Sequence, residues 1–237
     1  MMQSEIKSNA ETEAPGLSSA RGRRVYFVRH GITDWNKSFR YQGATDIPLC
    51  AEGEMQAARA AKRMSGLKCE RIISSPLKRA RRTAEIIAQE LQSAETEVWN
   101  ELTEVDFGEW EGLTTAGIRQ KFGDELFNAW RTAQLDVTAP GGEDVRHVYE
   151  RSAAAAARLL KTDEDNIIVV GHGAMLRALF LPLIGLPRCD TFWRMRMDNC
   201  SISSVDINKH RVATVAFLND TLHLKVPFGD VASLPLP

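Results

Sequence analysis

The fold class this sequence predicts is α/β: a three-layer αβα sandwich around a mainly parallel, mixed sheet. Three observations predict it. Short apolar runs at residues 25–28, 71–73 and 167–170 have the unbroken character of strands buried on both faces. Segments with helical spacing alternate with those runs, as parallel βα units require. Late in the chain, two alternating segments flank a turn and add a hairpin, which makes the sheet mixed.

Each element follows in order. Residues 1–22 are polar and small with few apolar anchors, which predicts a disordered tail. A single domain is expected over 23–220, with a C-terminal tail over 221–237. After the strand at 25–28, Met55, Ala58, Ala61 and Met64 recur at helical spacing and predict one buried helix face. The strand at 71–73 leads into Ser75-Pro76, read as N-cap and first helical residue. Leu77, Ala80, Ala84, Ile87 and Leu91 mark the buried face of that helix.

The Gly- and acid-rich stretch 102–112 reads as a loop, and two short helices follow at about 114–121 and 124–132. Pro140-Gly141-Gly142 breaks the chain before an Ala-rich helix over 143–160. Gly171-His172-Gly173 turns the strand at 167–170 into a helix ending near Ile184. The segments 201–206 and 212–218 form the hairpin around a turn at 208–211. The tail beyond 219 is apolar in patches (Leu222, Leu224, Val226, Phe228). Packing on the domain, covering the site and joining two copies into a homodimer all stay open for it.

Composition narrows the function. The 237 residues are 43% hydrophobic and 26% charged, with a formal net charge of −1. No basic excess points to nucleic acid or an anionic membrane, so an anion site must be a local concentration of cations. Cys50, Cys69, Cys189 and Cys200 form no C-x-x-C pair. That argues against a zinc site and for plain thiols in a reducing compartment. No apolar segment is long enough for a span, and no basic-then-apolar leader opens the chain. A cytoplasmic location is the expectation.

The chemistry gathers at strand ends. Ligands of open α/β sheets bind beyond the carboxyl ends of the strands. The first strand delivers Arg29-His30-Gly31 there, the second delivers Ser74-Ser75-Pro76 with Arg79 in the first helical turn, and the third delivers Gly171-His172-Gly173. An Arg in a helix's first turn opposes the macrodipole unless an anion compensates, and a helix start offers free N–H groups to phosphate. Two His and two Arg converging at one edge make a site for a dianionic phosphate. Cleaving a phosphate ester also needs a proton for the departing alkoxide. The stretch 101–112 supplies Glu101, Glu104, Asp106, Glu109 and Glu111 as donors, and spacing alone does not choose among them. His147, His210 and His223 read as surface or structural residues. Trp99, Trp130, Phe192 and Trp193 read as core or pocket wall.

These blocks resemble the histidine phosphatase superfamily, also called phosphoglycerate-mutase-like. The resemblance rests on Arg29-His30-Gly31-x-Thr33-x-Trp35-Asn36, on Gln42-Gly43 with Asp46-x-Pro48-Leu49, and on Gly53 with Gln56-Ala57. It continues through Ser74-Ser75-Pro76-Leu77-x-Arg79-Ala80, Leu102-x-Glu104-x-x-x-Gly108-x-Trp110-Glu111-Gly112, Pro140-Gly141-Gly142-Glu143 and Gly171-His172-Gly173. It implies that His30 is the nucleophile and becomes phosphohistidine. It implies that Arg29, Arg79 and His172 bind the phosphoryl oxygens, with Asn36, Gln42, Gly43 and Gly173 at the substrate. Glu104 becomes the proton donor.

The implied activity is a phosphoric monoester hydrolase acting on a small-molecule phosphate ester, without metal or cofactor. Nucleic acid and membrane are not expected partners. Two departures bear on the branch. Cys50 stands where a Thr or Ser cap is usual, which weakens the helix start by ~1 kcal/mol. Trp130 is followed by Arg131 and Thr132 where cofactor-dependent phosphoglycerate mutases carry two Arg. Phe107, Trp110 and the Pro-Gly-Gly-Glu segment look more like α-ribazole-5′-phosphate phosphatases and broad-specificity relatives. The competing readings are a cofactor-dependent phosphoglycerate mutase, a non-catalytic phosphate-ligand binder, and a metal site built on His30 and His172.

Overall fold

The computed structural model describes residues 22–92, 96–132, 136–186, 193–234 and 236. The expected tail at 1–21, Cys189 and Phe192 lie outside the described residues.

Six strands form one sheet in the order β3-β2-β4-β1-β5-β6. They are β1 (Arg23–Arg29), β2 (Arg71–Ser74), β3 (Thr96–Val98), β4 (Asn166–Gly171), β5 (Ile202–Ile207) and β6 (Ala213–Asp220). β1 pairs parallel with β4, and β2 pairs parallel with both β4 and β3. β5 runs antiparallel to β1 and to β6. The fold is the α/β sandwich expected, with a mixed sheet that is parallel everywhere except at β5.

The layers follow from the two-residue period of strands. Val25 and Phe27 of β1 with Ile167 and Val169 of β4 face one cluster. It is completed by α6 (Val145–Leu160) and α7 (Gly173–Leu183) through Ala155, Leu159, Leu176 and Leu179. Tyr26, Val28, Ile168 and Val170 face the opposite cluster. That one is completed by α2 (Ala51–Arg63) and α3 (Lys78–Leu91) through Ala61, Ala80, Ala84 and Ile87, with Met64 at the end of α2. A third cluster, around Phe107, Trp110, Phe127 and Trp130, joins the 102–112 stretch to α5 (Asp124–Arg131) and, through Ile118, to α4 (Thr115–Phe122). A one-turn helix, α1 (Asp34–Lys37), follows β1.

Several local expectations are corrected. The buried face of α2 runs through Gly53, Ala57, Ala60 and Ala61; of the expected stripe Ala61 and Met64 are buried, while Met55 is 61% exposed. The cause is close backbone contact. A Cβ on Gly53 would sit 2.0 Å from Ile32 O, so the helix presents its smallest residues there. α3 starts at Lys78 with Leu77 as N-cap, not at Ser75-Pro76; the Ser75 hydroxyl accepts from Leu77 N at 3.3 Å and also takes part in the site described below. Strand β3 carries no pattern in its three residues and was not expected. Cys50 caps α2 without a side-chain hydrogen bond, as its chemistry implied. The C-terminal segment forms two short turns, Leu222–Leu224 and Phe228–Ser233, that pack on α2. No helix among the described residues is long and apolar enough to cross a membrane.

Candidate active site

Three parallel strands end side by side. His30 N–H donates to Gly171 O at 2.9 Å, and Ser75 N–H donates to Val170 O at 3.0 Å. The residues that follow β1, β2 and β4 are therefore tied to one edge. His172 is the N-cap of α7, in extended conformation, so its ring returns toward that edge. The His30 and His172 ring centroids are 5.1 Å apart.

Hydrogen bonds set the tautomers. His30 Nδ1 lies 2.7 Å from Gly31 O. A carbonyl only accepts, so Nδ1 carries the proton and Nε2 keeps its lone pair. Arg79 Nε donates to His172 Nδ1 at 3.2 Å, and His172 Nε2 then donates to Ser75 Oγ at 2.7 Å. Both imidazoles are held well below the usual range. For His30 the causes are burial first, then Arg79 and Arg29. For His172 they are burial, then Arg79, His30 and Arg29. Both rings are neutral near pH 7, and His30 presents an unprotonated nitrogen.

The cations are arranged by backbone carbonyls. Arg29 Nη1 donates to Met197 O at 2.8 Å, while its buried Nε has no partner among the described residues. Gly173 leaves room for it: a Cβ there would lie 3.3 Å from Arg29 Cζ and Nε. Arg79 is fully buried and donates through Nη2 to Gly43 O at 2.7 Å and through Nη1 to Thr45 O at 2.8 Å. Burial lowers it to about 10. Gly43 has φ +54°, and a Cβ would strike Glu111 Oε1 at 1.9 Å. Glu111 stitches this loop. Its carboxylate accepts from Ala44 N at 2.7 Å, Thr45 N at 3.0 Å, Phe107 N at 3.1 Å and the Thr45 hydroxyl.

Glu104 sits at the start of α7. Oε1 accepts from Met175 N at 2.9 Å and Oε2 from Ala174 N at 3.2 Å. Its loop is pinned by Arg151, which donates to Glu101 O at 2.9 Å and Thr103 O at 2.6 Å and pairs with Glu143 at 2.6 Å. The other carboxylates of the stretch do different work. Glu109 pairs on the surface with Lys121, and Asp106 accepts from Gly108 N.

A cavity of about 570 Å³ opens over these groups. Arg29, His30, Asn36, Gln42, Gly43, Arg79, Glu104 and Gly173 all line it. His172 does not line it. It lies behind, fully buried against Arg79 and Ser75. Asn36 Oδ1 accepts from Thr33 N at 3.1 Å and Asn199 Nδ2 at 3.3 Å, and Gln42 Oε1 accepts from the Thr33 hydroxyl at 2.9 Å. Trp193, read as core or pocket wall, lines the cavity, while sequence reasoning missed Arg177 and Asn199 among the wall residues. Arg177 lies one turn beyond Gly173, so helix periodicity could have found it. Asn199 carries no such signal. Of the described residues between 112 and 140, Thr115 alone reaches the cavity. That stretch instead folds around the buried Ile118, Phe127 and Trp130. Among the described residues, no three His, Cys, Asp or Glu side chains gather as a metal site would need.

The fold and this edge define an α/β protein with a histidine- and arginine-lined anion cavity at the carboxyl ends of parallel strands. The chain belongs to the histidine phosphatase superfamily (branch 1), whose profile matches residues 25–221. A Salmonella choleraesuis protein named "Probable phosphoglycerate mutase GpmB" is 34% identical over 222 residues, covering 90% of this chain and 96% of its own length. The α-ribazole phosphatase of Shigella flexneri superposes with a TM-score of 0.75 at 29% identity, covering 83% of this chain and 96% of that one. A mycobacterial glucosyl-3-phosphoglycerate phosphatase, solved with VO3, gives 0.73 at 29% identity over 84% and 100% of the two chains.

Proposed function

We propose that the protein hydrolyses a small phosphomonoester through a phosphohistidine at His30, with Glu104 as proton donor. One observation carries this reading: His30 is a buried, neutral imidazole on the cavity wall, with Nδ1–H fixed on Gly31 O. Nε2 is then the nitrogen free to attack phosphorus. The N–P bond forms as the P–O ester bond breaks, and Glu104 gives its proton to the leaving alkoxide. Water then attacks the phosphohistidine while Glu104 takes the proton back.

Arg29 and Arg79 stabilise the charge on the equatorial oxygens. A bound dianion also raises the proton affinity of its neighbours. The same dianion draws Arg79 Nε off His172 Nδ1, freeing that imidazole to protonate and donate to an oxygen. Asn36, Gln42 and Gly43 border the substrate.

The test is turnover of p-nitrophenyl phosphate together with acid-resolved trapping of phosphoenzyme. Wild type is expected to turn over and to label on histidine, and His30→Ala to do neither. Equal turnover by the two proteins would end the reading. A mutase is the second reading, favoured by the name of the curated relative. Against it, Arg131 is followed by Thr132, and the Arg131 guanidinium stacks on Trp193 at 4.3 Å. Rapid interconversion of 2- and 3-phosphoglycerate on adding bisphosphoglycerate would establish the mutase instead.

A further inference from the structure

The Pro140-Gly141-Gly142-Glu143 segment does not line the cavity, yet it is seated against the loop that carries Glu104. Glu109 N–H donates to Pro140 O at 2.8 Å, and Glu143 N–H donates to Asp106 O at 2.9 Å. The approach is close enough to require glycine: a Cβ on Gly142 would lie 2.5 Å from Asp106 O. Glu143 then forms a bidentate pair with Arg151 of α6, Nε donating to Oε1 at 2.6 Å and Nη2 to Oε2 at 2.8 Å. Both side chains are largely buried, and neither lines the cavity.

This pair holds Glu104 from three directions. On the N-terminal side of the loop, Arg151 Nη1 donates to Glu101 O at 2.9 Å and Thr103 O at 2.6 Å. On the C-terminal side, Glu143 Oε2 accepts from Asp106 N at 3.4 Å. Across from the loop, Arg151 Nη1 meets Met175 Sδ at 3.0 Å, and the N–H of that same Met175 holds Glu104 Oε1. The guanidinium is a rigid fork, so it fixes the loop and α7 relative to each other. A carboxylic acid acts as a general acid only where its proton is within hydrogen-bond reach of the departing oxygen.

We propose that Arg151 and Glu143 are positioning residues for proton transfer: their ion pair sets the Glu104 loop against α7 so that the carboxyl meets the ester oxygen as it leaves. This rests on the phosphatase reading above, with Glu104 as donor. Neither residue touches the substrate. Their loss therefore falls on the step that needs a proton.

The test compares p-nitrophenyl phosphate with p-nitrobenzyl phosphate, which is larger by one methylene. p-Nitrophenolate departs as a stable anion, whereas the benzylic alkoxide needs its proton as the P–O bond breaks. On the proposed scheme kcat/KM reports only the steps up to the phosphoenzyme, so the later attack of water does not enter it. The readout is kcat/KM on the benzyl ester divided by kcat/KM on the phenyl ester. Wild type should turn over both. Arg151→Met is expected to lower the ratio ~10–100-fold, as a misplaced donor would. Glu104→Gln should lower it at least as far, and the double variant should add little. Arg151→Lys and Glu143→Gln should fall between wild type and Arg151→Met, and they carry the test if Arg151→Met does not fold. A merely structural role would reduce both esters by one factor and leave the ratio intact, which overturns the proposal. So would losses that multiply in the double variant. A ratio lowered by Glu104→Gln but not by Arg151→Met sinks the positioning role alone. A ratio that Glu104→Gln leaves intact sinks the donor assignment and this proposal with it, and turnover of neither ester by wild type sinks the phosphatase reading itself.

Discussion

Glu111 never touches the reacting atoms in the scheme above, yet changing it to Gln should cost both stability and rate. Its two carboxylate oxygens accept from three backbone N–H groups and the Thr45 hydroxyl. A Gln has one acceptor oxygen, and its amide N–H₂ must face donors on the other side. With its oxygen kept toward Ala44 N and Phe107 N, two bonds are lost, those from Thr45 N and from the Thr45 hydroxyl. At ~1.5 kcal/mol for each bond to a charged group, the lower end of the range because the residue is half-buried, the loss is about 3 kcal/mol. For a domain of this size that is a fall of about 6–12 °C in Tm.

The rate follows from the next link in the chain of contacts. The loop that Glu111 holds supplies Gly43 O and Thr45 O, which grip both Nη atoms of Arg79. On the proposed scheme, displacing this cation by ~1 Å costs roughly 100-fold in rate. The assay is kcat/KM on p-nitrophenyl phosphate for Glu111→Gln, Arg79→Ala and the double variant. Once Arg79 is gone, Glu111→Gln should add little further loss. Independent, multiplying effects would refute the coupling. So would a lowered Tm with wild-type kcat/KM.

Two further predictions concern buried histidines. Burial lowers His223 to about 4, opposed by its bond to Cys200 O at 3.0 Å, whereas an unfolded imidazole titrates near ~6.5. As pH falls through that window the unfolded chain takes the proton first. Stability is therefore complete above ~6.5 and declines by roughly 3 kcal/mol toward pH 4. His223→Gln should flatten the fall of Tm with acid, and parallel Tm–pH curves for the two proteins would contradict this. Ser75→Ala leaves the buried His172 Nε2–H without an acceptor, at a cost of ~1–3 kcal/mol. It also frees the tautomer that Arg79 relies on. A variant with wild-type Tm and wild-type turnover would show that the Ser75–His172 bond sets neither.

The legible parts of the molecule were those written in local pattern. Strands β1, β2 and β4 are apolar because both faces are covered, and that burial shows as an unbroken run. Four of the site residues stood out because the rule of strand ends applies to any parallel sheet, whatever its side chains. Other parts depend on contacts that no local pattern encodes. Strand β3 is three residues at an edge, too short for a period. The start of α3 was misread by three residues: Ser75 does accept from Leu77 N, but Leu77 is still extended, and the same hydroxyl meets a histidine 97 positions away. Glu111 looked like one more acid in a loop, since its partners at Ala44 and Thr45 come from another block. His223 was read as surface or structural, and it lies fully buried within the first C-terminal turn.

The backbone around His30 is clamped from far along the chain. Asn199 Nδ2 reaches His30 O from 169 positions away, and Cys200 N–H donates to Arg29 O at 2.9 Å. β1 leaves the ribosome first among the strands, while its two sheet neighbours, β4 and β5, come late. At ~5–20 residues per second, about 10–30 s pass between synthesis of His30 and arrival of its clamp. Throughout that interval His30 is an ordinary solvated imidazole without its arginine cage, and β1 is an apolar strand with both edges open. The nascent chain is therefore inert toward phosphate esters while exposing its stickiest strand, so a trigger-type holdase should improve its yield more than its specific activity.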